Sequence, residues 1–342
     1  MRSLDATIII PTFNREDALI KTLSALANMN CADDCWEAIV VDDGSTSDTQ
    51  LAVQQWIKHS GAPVRYLRQC NAGPAVARNR GAAEARGRNL IFIDNDIIVP
   101  RDFVRLHLDA LKANPGSWVM GRIIHPAEMR ATPFGRYRDD VWDSFYSSYP
   151  ADRISCTTGM SAANVSMPAE DFHRLGGFDE SFTIASSEDW DLGLRARQNG
   201  IRILYHPGIV VLHNDWAVSL AQFCKRQMMY SISDVLLWRK YGETSLRAQL
   251  VRQNAPLDWI SDGPKLIIKK MLKRLMATKA GERIAHYACS LVERCVPDGY
   301  WTRRMYELAV AIAIFRGVRE GWRRYVTSSS AAHNVVQFEK AR

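Results

Sequence analysis

The sequence predicts an α/β fold: a mainly parallel sheet flanked by helices, followed by a helical extension. Three observations carry this. Short, β-branched apolar runs alternate with helix-periodic segments through the first two-thirds of the chain, the pattern of β-α-β crossovers. Three of those runs stop at polar clusters, Pro11-Thr12-Phe13-Asn14, Asp42-Asp43-Gly44-Ser45 and Asp94-Asn95-Asp96, as strand ends facing a ligand do in open α/β sheets. Beyond Trp216 strand signals vanish and long helical patterns take over, so the expected division is 1–216 and 217–342.

Taken in order, Thr7 to Ile10 reads as a strand stopped by Pro11, and Glu16 to Asn28 as a helix with Ala18, Leu19, Leu23 and Leu26 on one face. Ala38 to Val41 is a second buried strand, Thr49 to Lys58 a helix and Val64 to Leu67 a third strand. The alanine-rich stretch Gly73 to Ala85 suits a helix packed closely on the sheet, and Leu90 to Ile93 is the strand presenting the acidic triplet. A helix after Asp102 and a strand over Trp118 to Ile124 follow. Pro126 to Pro150, polar and aromatic, reads as an irregular substrate-covering loop. Cys156 to Met167 returns to extended structure, and Ala169 to Leu175 is a short helix ended by Gly176-Gly177. Glu188 to Gln198 is a helix closed by Asn199-Gly200, with strands at 201–205 and 209–212 behind it.

The 342 residues, 47% hydrophobic, can bury a large core. No apolar stretch approaches the roughly 18–20 residues a spanning helix needs. The N-terminal residues run straight into a strand, so no signal peptide is expected. Seven cysteines, without a repeating frame, suggest reduced thiols in a cytoplasm; Cys31 and Cys35 have no nearby pair to complete a metal site. The net charge of +7 is uneven: residues 1–216 carry 22 basic and 27 acidic side chains, residues 217–342 carry 22 and 10. A polyanionic partner is expected for the rear portion.

Two carboxylates one residue apart, closing a buried strand, suit a hard divalent cation such as Mg²⁺ or Mn²⁺ and the phosphates it carries. Strand alternation would turn Asp94 and Asp96 to one side and Asn95 to the other. Convergence of the three polar strand ends would make a pocket for a nucleoside diphosphate. No G-x-G-x-x-G follows the first strand and there is no G-x-x-x-x-G-K-[ST], which disfavours dinucleotide and P-loop modes.

Residues 8–15, IIIPTFNR, with 40–45, VVDDGS, 71–81, NAGPAVARNRG, the acidic triplet, 176–180, GGFDE, and 188–192, EDWDL, resemble the signatures of glycosyltransferase family 2 in unbroken order over roughly residues 5–215. The resemblance implies a GT-A fold and transfer of a sugar from a nucleotide donor with inversion at the anomeric carbon. On it, Pro11, Thr12 and Phe13 line the base, Asp43 reads it, Arg15 and Arg78 approach the diphosphate, Asn95 lies near the ribose and Asp94 supports it. Asp96 is the metal ligand, and His213 completes the set or touches the diphosphate. Asp189, or alternatively Glu188, is the general base; Asp179 and Trp190 contact sugar or acceptor. Asn95 departs from the aspartate that many relatives carry. The residues themselves also permit plainer roles: Asp42 as a turn or cap residue, Arg78 as a surface arginine, Phe178 as core, and the 188–191 carboxylates as partners of a helix dipole.

In the rear, Ile267, Ile268, Met271, Leu272, Leu275 and Met276 share one face of a helix whose remainder is Lys265, Lys269, Lys270, Lys273 and Arg274. Such a helix fits an anionic membrane interface, or packs on the rest of the chain with its basic face in water. The expected protein is a cytoplasmic enzyme, peripheral to the inner face of the membrane. It uses Mn²⁺ or Mg²⁺ to move sugar from a nucleotide-sugar donor to a glycan or lipid-linked acceptor in cell-surface polysaccharide or glycolipid synthesis. Its rear region serves membrane association or acceptor binding, and no nucleic-acid motif accompanies the charge. The competing readings are a sugar nucleotidyltransferase and a catalytically dead, membrane-recruited nucleotide-sugar-binding protein.

Overall fold

The computed structural model describes residues 4–30, 35–184, 186–215, 218–245 and 247–327; Cys31 and Trp216 lie outside them. The chain divides into two compact units, residues 1–129 with 139–216, and residues 130–138 with 217–342.

The first unit begins with β1 (Leu4–Thr12), α1 (Glu16–Ala27), β2 (Trp36–Asp42), α2 (Thr49–Ser60), β3 (Val64–Arg68), α3 (Pro74–Ala83) and β4 (Gly87–Ile93). Their order across the sheet is β3-β2-β1-β4, all parallel. The runs Ala6–Ile10, Trp36–Val41 and Leu90–Ile93 are buried, as strands covered on both faces must be. The chain then adds β5 (Ile97–Ile98), α4 (Phe103–Ala113), β6 (Ser117–Ile124), α5 (Pro133–Tyr146), β7 (Ser155–Cys156), β8 (Asn164–Pro168), α6 (Ala169–Arg174), α7 (Glu188–Gln198) and β9 (Arg202–His213). The sheet continues β4-β8-β6-β9-β5, with β8 antiparallel to both neighbours and β6 parallel to β9, so it is mixed beyond β4. A buried histidine pins α4 to β8: His107 Nδ1 lies 2.8 Å from Ser166 Oγ and Nε2 3.0 Å from Asn164 Oδ1. Burial pushes that imidazole down to about 3, so it serves as a neutral structural link.

Two sequence expectations change. The extended pieces at 201–205 and 209–212 are one strand: the register of β9 against β6 shifts after Gly121, a bulge that absorbs residues 207–209. The stretch 126–150 is not an irregular loop but a short 3₁₀ turn and α5. Its aromatics recur at helical spacing, which the polar residues between them masked. Trp142 packs edge-on to His125 at 5.2 Å, and Tyr146 lies 5.7 Å from Tyr205.

The second unit contains α8 (Leu220–Tyr241), α9 (Ala248–Asn254), α10 (Pro264–Met276), α11 (Lys279–Cys295) and α12 (Tyr300–Tyr325). A capping box at Ser219 and Gln222 starts α8. Glycines set the approach of α8 and α12: a Cβ at Gly317 would stand 2.2 Å from the Met228 carbonyl, and one at Gly321 2.9 Å from that of Ile232. Phe134 and Tyr137 join this unit by packing on Tyr306. Among the described residues no helix is long and apolar enough to cross a membrane.

The β1–β4 pairing carries the site and tolerates no added side chain at Gly87, where a Cβ would fall 2.4 Å from the backbone of Ala6 and Thr7. Gly87→Ala is expected to lower the unfolding free energy by about 1–3 kcal/mol, read from urea denaturation of the two proteins side by side.

Candidate active site

Parallel strand order reverses direction of growth at β1, and the crevice at such a switch point is where ligands bind. The residues at this edge are built in two linked clusters.

The first gathers around Asp96. Strand β4 ends at Ile93, and Asp94-Asn95-Asp96 form a turn, so alternation no longer governs where the side chains go. Asn95 is buried and donates to Thr12 Oγ1 at 2.8 Å, while its carbonyl accepts from Thr22 at 3.0 Å. Asp96 is drawn toward the end of β9, because β5 pairs with that strand and the Asn214 amide donates to the Asp96 carbonyl at 2.8 Å. His213 Nε2 thereby lies 3.2 Å from Asp96 Oδ1, and Asp215 completes a group whose ligand atoms all fall within 4.8 Å of one another. Arg15 closes one side, 3.2 Å from Asp96 and 3.3 Å from Asp215. Burial would raise the Asp96 carboxyl, but the His213 hydrogen bond and charge, with Arg15, outweigh it and hold the group below the usual carboxylate range. His213 moves the opposite way: burial alone would lower it, and Asp96 raises it above the ordinary histidine value.

These residues fit a divalent cation. Asp96 Oδ1 is a buried carboxylate oxygen facing His213 Nε2 at 3.2 Å, and imidazole nitrogen plus carboxylate oxygen is a donor set that Mn²⁺ accepts.

The second cluster is an ion-paired bridge. Arg78, on α3, is buried and donates 2.7 Å bonds to Asp94 Oδ1 and Glu188 Oε1. It is neither a surface arginine nor an open phosphate site, because both ends of its fork are engaged. Glu188 and Asp189 open α7 behind Ser187, whose φ of 69° is left-handed, a conformation disfavoured for a residue with a Cβ. Asp189 accepts from the Trp190 amide at 2.8 Å and, more loosely, the Ala162 amide at 3.4 Å. Burial pushes the Asp189 carboxyl up to about 7, and the neighbouring Glu188 charge adds to it. Glu188 is also raised by burial, with Arg78 pulling it back, so Arg78 favours charge on Glu188 and leaves the proton to Asp189. The clusters are electrostatically continuous: Asp94, bonded to Arg78, also raises His213.

Around them, loops are clamped. Asp43 accepts from Gln69 at 2.8 Å and from the Ala72 and Gly73 amides at 2.9 and 2.8 Å. Three bonds leave about one of the four lone-pair positions of a carboxylate open, so its first role here is to hold the 69–73 loop. Asp42 accepts from Tyr66 and the Ser45 amide. Thr12 is buried; Pro11 is half-buried and Phe13 exposed at the crevice edge. Asn79 grips the 176–180 loop through the Phe178 amide and carbonyl, and Arg195 joins buried Asp191 to the carbonyls of Leu175 and Gly177. Phe178 is core, set between Phe92 and Phe172. Asp179 accepts from the Ser181 amide in the same loop. Trp190 is half-buried beside Gly159, whose added Cβ would meet its ring at 3.7 Å.

Two family models match: glycosyl transferase family 2 over residues 7–165, and glycosyl transferase family group 2 over residues 90–331. The chain belongs to glycosyltransferase family 2. It is 32% identical over 221 residues to a validoxylamine A glucosyltransferase of Streptomyces hygroscopicus subsp. limoneus, covering 57% of this chain and 48% of that protein. It is 25% identical over 284 residues to a pre-mycofactocin glycosyltransferase of Mycobacterium tuberculosis, covering 82% and 57%. The family 2 chain thus spans about half the length of these curated relatives. Its fold is similar to that of a mannosyltransferase from Pyrobaculum calidifontis in complex with GDP-Man and Mn²⁺, with TM-score 0.61, 19% identity and 91% and 86% of the two chains covered. It is also similar to GalNAc-T7 with UDP, GalNAc and Mn²⁺, with TM-score 0.54, 15% identity and 77% and 53% covered. The fold of this family 2 member is GT-A, with helices following the sheet.

Sequence reasoning missed Asp215 and the bridging role of Arg78. The first was legible as an acid two residues past His213 at a strand exit; the second joins residues 110 apart and had no local signal. Removing Arg78 leaves Glu188 buried without its counter-charge. Arg78→Ala is expected to cost about 3–5 kcal/mol of stability near pH 8. The sign with pH follows from Glu188: its raised carboxyl rises further without the arginine, protonation then removes the buried charge, and the deficit shrinks as pH falls toward 5. Chemical denaturation at both pH values checks this.

Proposed function

We propose that this protein is an inverting glycosyltransferase that moves a sugar from a nucleoside diphosphate donor to an acceptor hydroxyl by single displacement. The observation that carries the reading is a base candidate of raised pKa, Asp189, linked through Glu188, Arg78 and Asp94 to Asp96, two residues further along the chain, and its divalent-cation donor set. Family membership supports the reaction class. The donor class is that held by the two solved neighbours, in their cases GDP-Man and UDP, each with Mn²⁺.

In this reading Asp96, His213 and Asp215 hold the cation, which when bound supplies Lewis-acid stabilisation of charge on the departing diphosphate. Arg15, at the same cluster, adds positive charge beside that group. Asp189 takes the proton from the attacking hydroxyl; a carboxylate poised near 7 balances the ionised fraction against proton affinity. Glu188, held by Arg78, keeps its charge and sustains the raised value at Asp189. Thr12, Pro11 and Phe13 border the base, Asn95 braces Thr12, and the remaining acceptor position of Asp43 faces the same role. Trp190 and Asp179 border the acceptor side. The acceptor itself is proposed to be a glycan or lipid-linked hydroxyl, in polysaccharide or glycolipid synthesis.

The test is turnover of nucleotide sugars with Mn²⁺, including slow hydrolysis where no acceptor is supplied. Asp189→Asn is expected to reduce transfer by about 10²–10⁴-fold while leaving donor binding in place. Asp96→Ala is expected to lose metal-dependent donor binding, measured calorimetrically. Absence of donor binding with every divalent ion tried would defeat the proposal.

The pH profile gives an independent check. Asp189 must be ionised to act, so kcat/KM is expected to rise with pH through a limb near 7. Glu188→Gln removes the like charge that helps raise Asp189, so the limb is expected to move to lower pH; an unmoved limb would assign it to another group.

A further inference from the structure

Helix α10 turns two of its lysines inward. Lys270, 2% exposed, donates to both Asp262 oxygens at 2.9 and 2.7 Å and to the Pro256 carbonyl at 3.2 Å. Lys273 reaches Asn254 Oδ1 at 2.5 Å. On the opposite side Ile268, Met271, Leu272 and Leu275, spaced as one helical stripe, face outward, Leu275 at 75% exposure. A helix that only packed on its own unit in water would bury that stripe and leave its lysines solvated, because apolar burial is favourable and burial of an ammonium is not.

The same inversion extends to its neighbours. The turn before α10 is fixed by Asp258, which accepts from the Ile260 and Ser261 amides, and it presents Trp259 and the 98%-exposed Ile260. On α11, Ile284, Tyr287 and Leu291 form a second exposed stripe at helical spacing, while Ala285 and Cys289 face inward. Flanking positions are basic and exposed: Lys265, Lys269 and Arg274 on α10, Arg283 and Arg294 on α11.

We propose that this face of α10, its preceding turn and α11 lies in the interface of an anionic lipid bilayer. Aliphatic stripes with a tryptophan enter the acyl boundary, and the basic rim meets anionic headgroups. The rim also argues against a second copy as the occupant: a two-fold contact through this face would set like charges against one another. The inference concerns the second unit alone and does not depend on the reaction proposed for the first.

The test is co-sedimentation of the full chain with extruded phosphatidylcholine vesicles, with and without about one third phosphatidylglycerol, in the absence of any donor. The wild type is expected to partition to the anionic vesicles. The double variant Leu272→Glu with Leu275→Glu, and separately Lys265→Glu with Lys269→Glu, are each expected to bind about tenfold or more weakly. All four positions are already solvent-facing, and a thermal melt verifies that each variant is folded. The proposal is overturned if the wild type stays in the supernatant with anionic vesicles, or if both variants bind as it does. It is equally overturned if ultracentrifugation finds a wild-type dimer that the leucine variant dissociates while vesicle binding is absent.

Discussion

One guanidinium holds the site together. Arg78 reaches the end of β4 through Asp94 and the start of α7 through Glu188, two elements whose sequence positions are far apart. A buried ion pair of this kind is weak evidence for net stability, since desolvation offsets much of the attraction. What it fixes is geometry. An arginine offers a rigid fork, so its two carboxylates are held at a set separation, and Asp189 beside one of them is set relative to the Asp96 cluster beside the other. It also partitions protons. Because Glu188 is compensated by Arg78 and Asp189 is not bonded to an opposite charge of its own, two adjacent carboxyls meet different electrostatic surroundings.

The surrounding polar residues work toward the same end by immobilising backbone. Asp43, Asn79 and Arg195 spend most of their hydrogen-bonding capacity on loops rather than facing the crevice. A loop lined by bonded amides needs little reordering when a ligand arrives, and preorganisation of that sort preserves binding energy. Motifs that read as contact residues in a sequence are therefore, in several cases, the framework for contacts made by their neighbours.

That distinction marks what the sequence could and could not convey. Strands such as Ile8–Ile10 and Leu90–Ile93 were legible because continuous burial writes itself as continuous apolar residues. The position of Asp189 at a helix start, and of Asp96 at a strand end, followed from local pattern alone. Alternation failed at Asp94-Asn95-Asp96 because the strand stops one residue earlier. Helix α5 was missed because its aromatic spacing is broken by polar residues. The partners of Arg78 and of Lys270 on α10 were hidden for a deeper reason. Composition tells which residues are charged, but the partner that makes burial tolerable, Glu188 for Arg78 and Asp262 for Lys270, is chosen by tertiary folding.

The charge at the crevice bears on why a cation belongs in the proposed reaction. Asp94, Asp96, Asp215 and Glu188 are gathered with two guanidiniums, Arg15 and Arg78, so carboxylates outnumber the permanent cations two to one. A nucleoside diphosphate brings further negative charge to the same place. At short range and reduced dielectric such repulsion is worth several kcal/mol, more than stacking of a base would offset. His213 cannot settle the imbalance alone, because its proton is itself stabilised by Asp96 and is at most one charge. A dication held by Asp96, His213 and Asp215 would cancel that excess, so that the crevice would no longer repel a diphosphate.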